Sequence, residues 1–212
     1  MRRLLPLLLA VALMAAPAKA SEPQRWQAAA TPADRHRLAR LWEAWTRSLA
    51  QVQTAGQGGA LAALGGAVIP DAAALNADPA DRATVASKGP LPIPGNYQCR
   101  TIHLGQKDFP APAGVVQATE PVPCTIEQRG ATLWFESDGA RRLIGRLYAD
   151  GDRLVLLGTT SLAGEMGTVA YGADPDRDAI GALRALAPGK WRLELPWPHW
   201  QSTLDVIEMT AG

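Results

Sequence analysis

Arg142-Leu143-Ile144-Gly145-Arg146-Leu147-Tyr148, then Asp150-Gly151, then Arg153-Leu154-Val155-Leu156-Leu157-Gly158-Thr159 is the stretch that decides the fold of this 212-residue chain. Both seven-residue runs read as strands, and the Asp-Gly pair between them supplies the positive φ that a tight hairpin requires. The same reading extends outward to residues 97–104, 122–128, 132–136, 169–171, 179–186, 191–195 and 203–209. Arg129-Gly130, Asp138-Gly139 and Pro188-Gly189 mark further hairpin-type connections. Residues 178–186 fit a helix as well as a strand. Eight or nine short strands joined in sequence predict an antiparallel meander that closes into a β-barrel of about eight strands, or failing that a sandwich.

Upstream of the strands the period changes. Pro90-Leu91-Pro92-Ile93-Pro94-Gly95 is a stiff connector, because proline fixes φ and lacks the donor that a helix or sheet needs. Before it, Thr31 suits an N-cap, Pro32 the first helical position, and Asp34 the free amides of the first turn. Leu38, Leu41, Trp42, Trp45, Leu49 and Val52 recur at three- and four-residue steps, so they line one helical face that must be covered. The spacing predicts that this helix stops before Gly56 and packs on the following strands. Shorter helices are expected at 60–64 and 71–75. The fold class is therefore α+β, with a helical segment and connector over 21–91 and an antiparallel β domain over 92–212. Gly58-Gly59 and Gly65-Gly66 lack both a preceding strand and a Gly-Lys-Ser/Thr ending, so no phosphate cradle is read there.

Residues 1–20 have the three-part layout of a cleavable export signal. Arg2 and Arg3 form the positive region, 4–14 the apolar core, and Ala18-Lys19-Ala20 a small-x-small cleavage site. Eleven apolar residues rise about 16 Å as a helix, short of a hydrocarbon core of roughly 30 Å. No cysteine follows the cleavage point to carry a lipid. The expected product starts at Ser21, without a membrane span, in the periplasm or outside the cell. Losing Arg2, Arg3 and Lys19 leaves eighteen basic against twenty acidic residues, a net charge of −2 in place of +1. That balance argues against nucleic acid or an anionic membrane as partner.

Cys99 and Cys124 are the only cysteines. In an oxidising compartment an even pair reads as a disulfide, the alternative being a free reactive thiol. A bridge closing about 26 residues is worth about 3.5 kcal/mol in the chain-entropy treatment.

Catalytic chemistry is sparse. His36, His103 and His199 show no metal-ligand spacing, and no nucleophile elbow occurs. No cofactor, metal or catalytic residue is assigned. Two constellations remain. In the first, Tyr171, Asp174, Arg177 and Asp178 share one loop, which Arg146 and Tyr148 would approach from another strand. Its alternative is a salt-bridged turn. In the second, Trp197 and Trp200 flank Pro198-His199, and their rings could stack on sugars, fill a partner pocket, or simply plug the barrel end.

Ala30-Thr31-Pro32-Ala33-Asp34-Arg35 running into Leu41-Trp42-Glu43-Ala44-Trp45, followed by Tyr97-Gln98-Cys99-Arg100-Thr101-Ile102, Gly145-Arg146-Leu147-Tyr148, Trp191-Arg192-Leu193 and Leu204-Asp205-Val206-Ile207-Glu208, resembles an exported bacterial family, domain of unknown function 4893. The likeness spans about 26–209 and implies export and a single unit, but no activity. More distantly, Gly95-Asn96-Tyr97 is similar to the Gly-x-Trp opening of lipocalin and avidin-like barrels, with tyrosine replacing tryptophan. A small exported barrel with one disulfide also resembles periplasmic metalloprotease inhibitors.

These observations predict a non-enzymatic exported binding protein whose partner is a small apolar ligand, an envelope component or a periplasmic protein. The alternatives are a hydrolase-like enzyme using the 174–178 loop with Arg146, and a protease inhibitor acting through 21–30.

Overall fold

A strand that is apolar on alternate positions must hide one face, and here the sheet does so by curling on itself. The protein, described by a computed structural model over residues 25–65, 89–107, 114–165 and 167–212, has four helices, α1 (Trp26–Ala29), α2 (Pro32–Ala39), α3 (Leu41–Thr54) and α4 (Gly58–Ala63). Nine strands follow: β1 (Gly95–Leu104), β2 (Val116–Ala118), β3 (Val122–Arg129), β4 (Thr132–Ser137), β5 (Arg141–Asp150), β6 (Arg153–Leu162), β7 (Asp178–Ala187), β8 (Lys190–Pro196) and β9 (Leu204–Ala211). The expected export signal over 1–20 and the expected helix over 71–75 lie outside the described residues.

Neighbouring strands pair antiparallel from β3 through to β9, and β9 returns to β1 with a register running from Tyr97↔Ala211 to Leu104↔Leu204. This closes an eight-stranded barrel. Strand β1 changes partner along its length, pairing with β3 over Gly95–Cys99 and with the short β2 over Ile102–Leu104. The extra strand β2 thus covers the edge of β1 that β3 leaves open.

The inward phase carries one core. Tyr97, Cys99, Ile126, Phe135, Leu147, Leu156, Leu183, Trp191, Leu193 and Met209 meet inside the barrel. Cys99 and Cys124 are joined there, with Cα atoms 5.8 Å apart, tying β1 to β3. The glycines of the facing pair Gly145↔Gly158 let β5 and β6 approach closely: a Cβ on Gly158 would lie 2.5 Å from the Ile144 carbonyl oxygen.

The helices cover the outer face of the same wall. In α3 the buried stripe is Ala44, Trp45, Ser48 and Val52, which packs with Ile102, Leu104, Leu204 and Val206 on β1 and β9. Helix α2 and the Trp26–Ala30 segment cover Val155, Leu157, Ile180 and Ala182 on β6 and β7. Thr31 caps α2 as expected, its Oγ1 accepting from the Asp34 amide at 3.1 Å with Pro32 at the first helical position.

Two sequence expectations are corrected, one open alternative is resolved in favour of the strand, and one strand is added. The stripe from Leu38 to Val52 is not one helix, because the chain breaks at Arg40 (φ −100°, ψ 18°) so that α2 and α3 each follow the curved wall. Residues 178–186 are strand and not helix, since β7 has hydrogen-bonded neighbours on both sides. Residues 169–171 form no strand; they belong to the irregular connection joining β6 to β7, and Tyr171 is drawn to α2 by its hydroxyl. Strand β2 was not expected, because three residues carry no readable period. Among the described residues, no helix is long and apolar enough to cross a membrane.

Candidate functional site

The two ends of the barrel are filled differently. At the end where β1 begins, large apolar side chains close the interior, with the Tyr97 and Trp191 rings edge-to-face at 5.4 Å. The connector seals this end: Trp191 Nε1 donates to the Pro90 carbonyl at 2.8 Å, and the Tyr97 hydroxyl donates to the Ile93 carbonyl. Toward the other end the inward phase turns polar on five of the eight barrel strands. Thr101 and His103 follow Cys99 on β1, Ser137 follows Phe135 on β4, Thr160 follows Gly158 on β6, Arg141 precedes Leu143 on β5, and Asp205 precedes Ile207 on β9. The result is a cavity of about 390 Å³ walled by Val122, Leu143, Ala179, Leu195 and Ile207 together with these polar groups.

The loop after β8 forms part of the mouth through Pro198, His199 and Trp200. His103 Nδ1 lies 2.6 Å from Asp205 Oδ1, and the Ser202 hydroxyl donates to the same oxygen at 2.5 Å. A carboxylate only accepts, so Nδ1 carries the proton and Nε2 is left as an acceptor on the neutral ring or a donor on the cation. Burial opposes the charged imidazole, but the hydrogen bond and charge of Asp205 outweigh it, and the His103 pKa sits above its ordinary value despite Arg141 nearby. Arg141 lays its guanidinium 5.3 Å over the Trp200 ring. His199 is pushed the other way, its pKa lowered by burial and by Arg37 and Lys107, although Asp176 lies 3.6 Å from its Nδ1.

The residues singled out from sequence fall in several places. Trp200 and Asp178 border the cavity. The Asp178 side chain accepts from the Gly172 amide at 2.8 Å, and burial raises its pKa. Arg177 binds Glu165 at 2.5 Å and Asp174 at 3.3 Å across the turn, and Glu165 is lowered to about 2 by the Arg177 hydrogen bonds. Tyr171 donates to Asp34 at 2.5 Å and accepts from the Thr31 amide, clamping α2 to the barrel. Trp197 packs toward α3 and donates to the Arg40 carbonyl at 3.2 Å, beneath the Arg40 and Arg47 guanidiniums.

Of the two side chains expected to approach the 171–178 loop, Arg146 lies instead against Trp134, while Tyr148 shares with Tyr171 the apolar cluster beneath α1 and α2. Both have even numbers on a strand whose odd positions face the interior, so they point outward. The expected carboxylate–guanidinium cluster is therefore not assembled. Of the proposed inhibitory segment residues 25–30 are described, and Trp26, Ala29 and Ala30 of it pack on the outer wall.

Sequence reasoning missed Thr101, His103, Ser137, Arg141, Thr160 and Asp205 as one site. The signal was present: at the same end of several strands, the inward phase switches from large apolar to polar. Among the described residues, no group of three histidine, cysteine or acidic side chains is placed to hold a metal ion.

Fold and cavity together define a closed antiparallel barrel packed at one end and open at the other, with helices on its outer wall. The chain belongs to the family described as Domain of unknown function (DUF4893), whose family model matches residues 26–209. No curated protein and no solved structure matches the chain.

Proposed function

We propose that the protein is an exported, non-enzymatic binding protein and that the open end of its barrel takes a small ligand with an apolar body. Residues 1–20 would direct the chain to the periplasm and be removed there. The observation that carries the reading is the half-empty interior. A cavity of about 390 Å³, mainly apolar below and polar at its mouth, lies within the size range of small-molecule sites, roughly 300–1,000 Å³. A barrel with only a structural role gains stability from filling that space, since unfilled apolar walls forgo dispersion contacts.

The test is a titration of residues 21–212 with 1-aminoanthracene, followed by its fluorescence. Saturable binding of one probe per chain is expected, and it should be lost in Ala179→Phe, which places a ring in the cavity. Circular dichroism and melting temperature verify that this variant folds. Absence of saturable binding by the wild-type protein would remove the reading.

A further inference from the structure

We infer that the ligand is an amphiphilic carboxylate, its head group held at the barrel mouth by Arg141 and His103 and its apolar chain directed onto Leu143 and Ile207. This names the ligand class of the site proposed above and rests on that reading.

The inference comes from asking which charges around the cavity are already committed. Asp205 accepts from both His103 and Ser202. Arg37 also borders the cavity, but it is held by Asp34 and by the Asp178 carbonyl. Asp178 turns its carboxylate toward the Gly172 amide, on the outer side of β7 where Ile180 packs under α2. Glu120, Asp138 and Asp176 belong to loops and are exposed to water, where their charges are screened.

Arg141 differs from all of these. It is the first residue of β5, in register with Leu162, and it precedes Leu143 on the inward phase. Among the described residues its guanidinium meets the face of Trp200 and no carboxylate within salt-bridge distance. Stacking on an indole fixes the plane of the guanidinium while its N–H edge remains available, which is the geometry that receives a carboxylate through two parallel hydrogen bonds. Trp200 itself, part of the same mouth, keeps a buried indole N–H without a partner among the described residues.

His103 faces the same space and is close enough for Arg141 to oppose its protonation. An anion seated between them would relieve that repulsion. One uncommitted guanidinium plus one titratable imidazole matches a single negative charge. Immediately below lie Leu143, Ile207, Leu195 and Val122, which are surfaces for hydrocarbon and not for a second charge.

The experiment is isothermal titration calorimetry of residues 21–212 at neutral pH with octanoate, octanol and octylamine, using wild type and Arg141→Gln. The expected result is octanoate binding at least about tenfold more tightly than octanol, with the preference abolished in R141Q while octanol affinity is retained. Equal affinity for octanoate and octanol, or a preference for the amine, overturns the carboxylate assignment and leaves the binding reading standing. No binding of any of the three overturns both. The wild-type comparison decides even if R141Q fails to fold.

Discussion

Two carboxylates buried outside the barrel show how single residues hold the helices in place. Asp34 is fully buried and receives Arg37, the Tyr171 hydroxyl and the Thr31 hydroxyl, joining α2 to the loop before β7. Glu194 on β8 receives Trp45 Nε1 at 3.1 Å and Arg192 at 2.8 Å, with Arg184 at 3.5 Å, beneath α3. Removing one member strands the others without water, at a typical cost of 3–5 kcal/mol. Asp34→Ala should therefore destabilise the protein by about 3 kcal/mol in urea unfolding; a loss below about 1 kcal/mol would show that the cluster is not coupled to folding. His103 adds a pH term. Its folded pKa is raised, so its stabilisation is fully present below its unfolded value of about 6.5 and is lost as pH rises through the folded value. As pH rises above about 6.5 the melting temperature should carry a downward step from this group, set by Asp205 against Arg141. In His103→Gln that step should vanish, and an unchanged profile would assign it elsewhere.

Among the elements, the hairpin strands were legible because their period and their glycine turns agree. Gly130, Gly139, Gly151 and Gly189 all take positive φ where Arg129-Gly130, Asp138-Gly139, Asp150-Gly151 and Pro188-Gly189 predicted turns. The cap of α2 was equally plain, since Thr31, Pro32 and Asp34 act through local chemistry. Thr31→Ala should cost about 1 kcal/mol by loss of the cap, and more to the extent that the Asp34 cluster loosens. The break at Arg40 was not legible, because a helical stripe records which residues are buried and not the curvature of what buries them. Residues 178–186 were ambiguous for a related reason: β7 is covered on both faces, so it lacks the alternation of a half-exposed strand. Gly158 shows the opposite case, a local residue whose reason lies on another strand. Gly158→Ala should destabilise by about 1–3 kcal/mol, since its Cβ would meet backbone and not a movable side chain. Denaturant unfolding would reveal a neutral substitution if β5 and β6 can part freely.

At the scale of the molecule, closure is made by β1 and β9, which lie at opposite ends of the β domain, and the disulfide ties β1 to β3 on the other side. Replacing Cys99 and Cys124 by alanine should cost about 2–5 kcal/mol in guanidinium unfolding compared with the oxidised protein. Similar stability with and without the bridge would mean that β1 is held by its ladders alone. By itself the sequence determined the α+β class, most of the strand succession, the cap of α2, the glycine hairpin turns and the pairing of its two cysteines, because each depends on neighbours along the chain or on a count. Only the tertiary structure decided that Arg146 and Tyr148 face outward while Arg141, His103 and Asp205 meet inside. Strand parity, register and closure place residues about a hundred positions apart around one cavity, and no local period records which of them will share it.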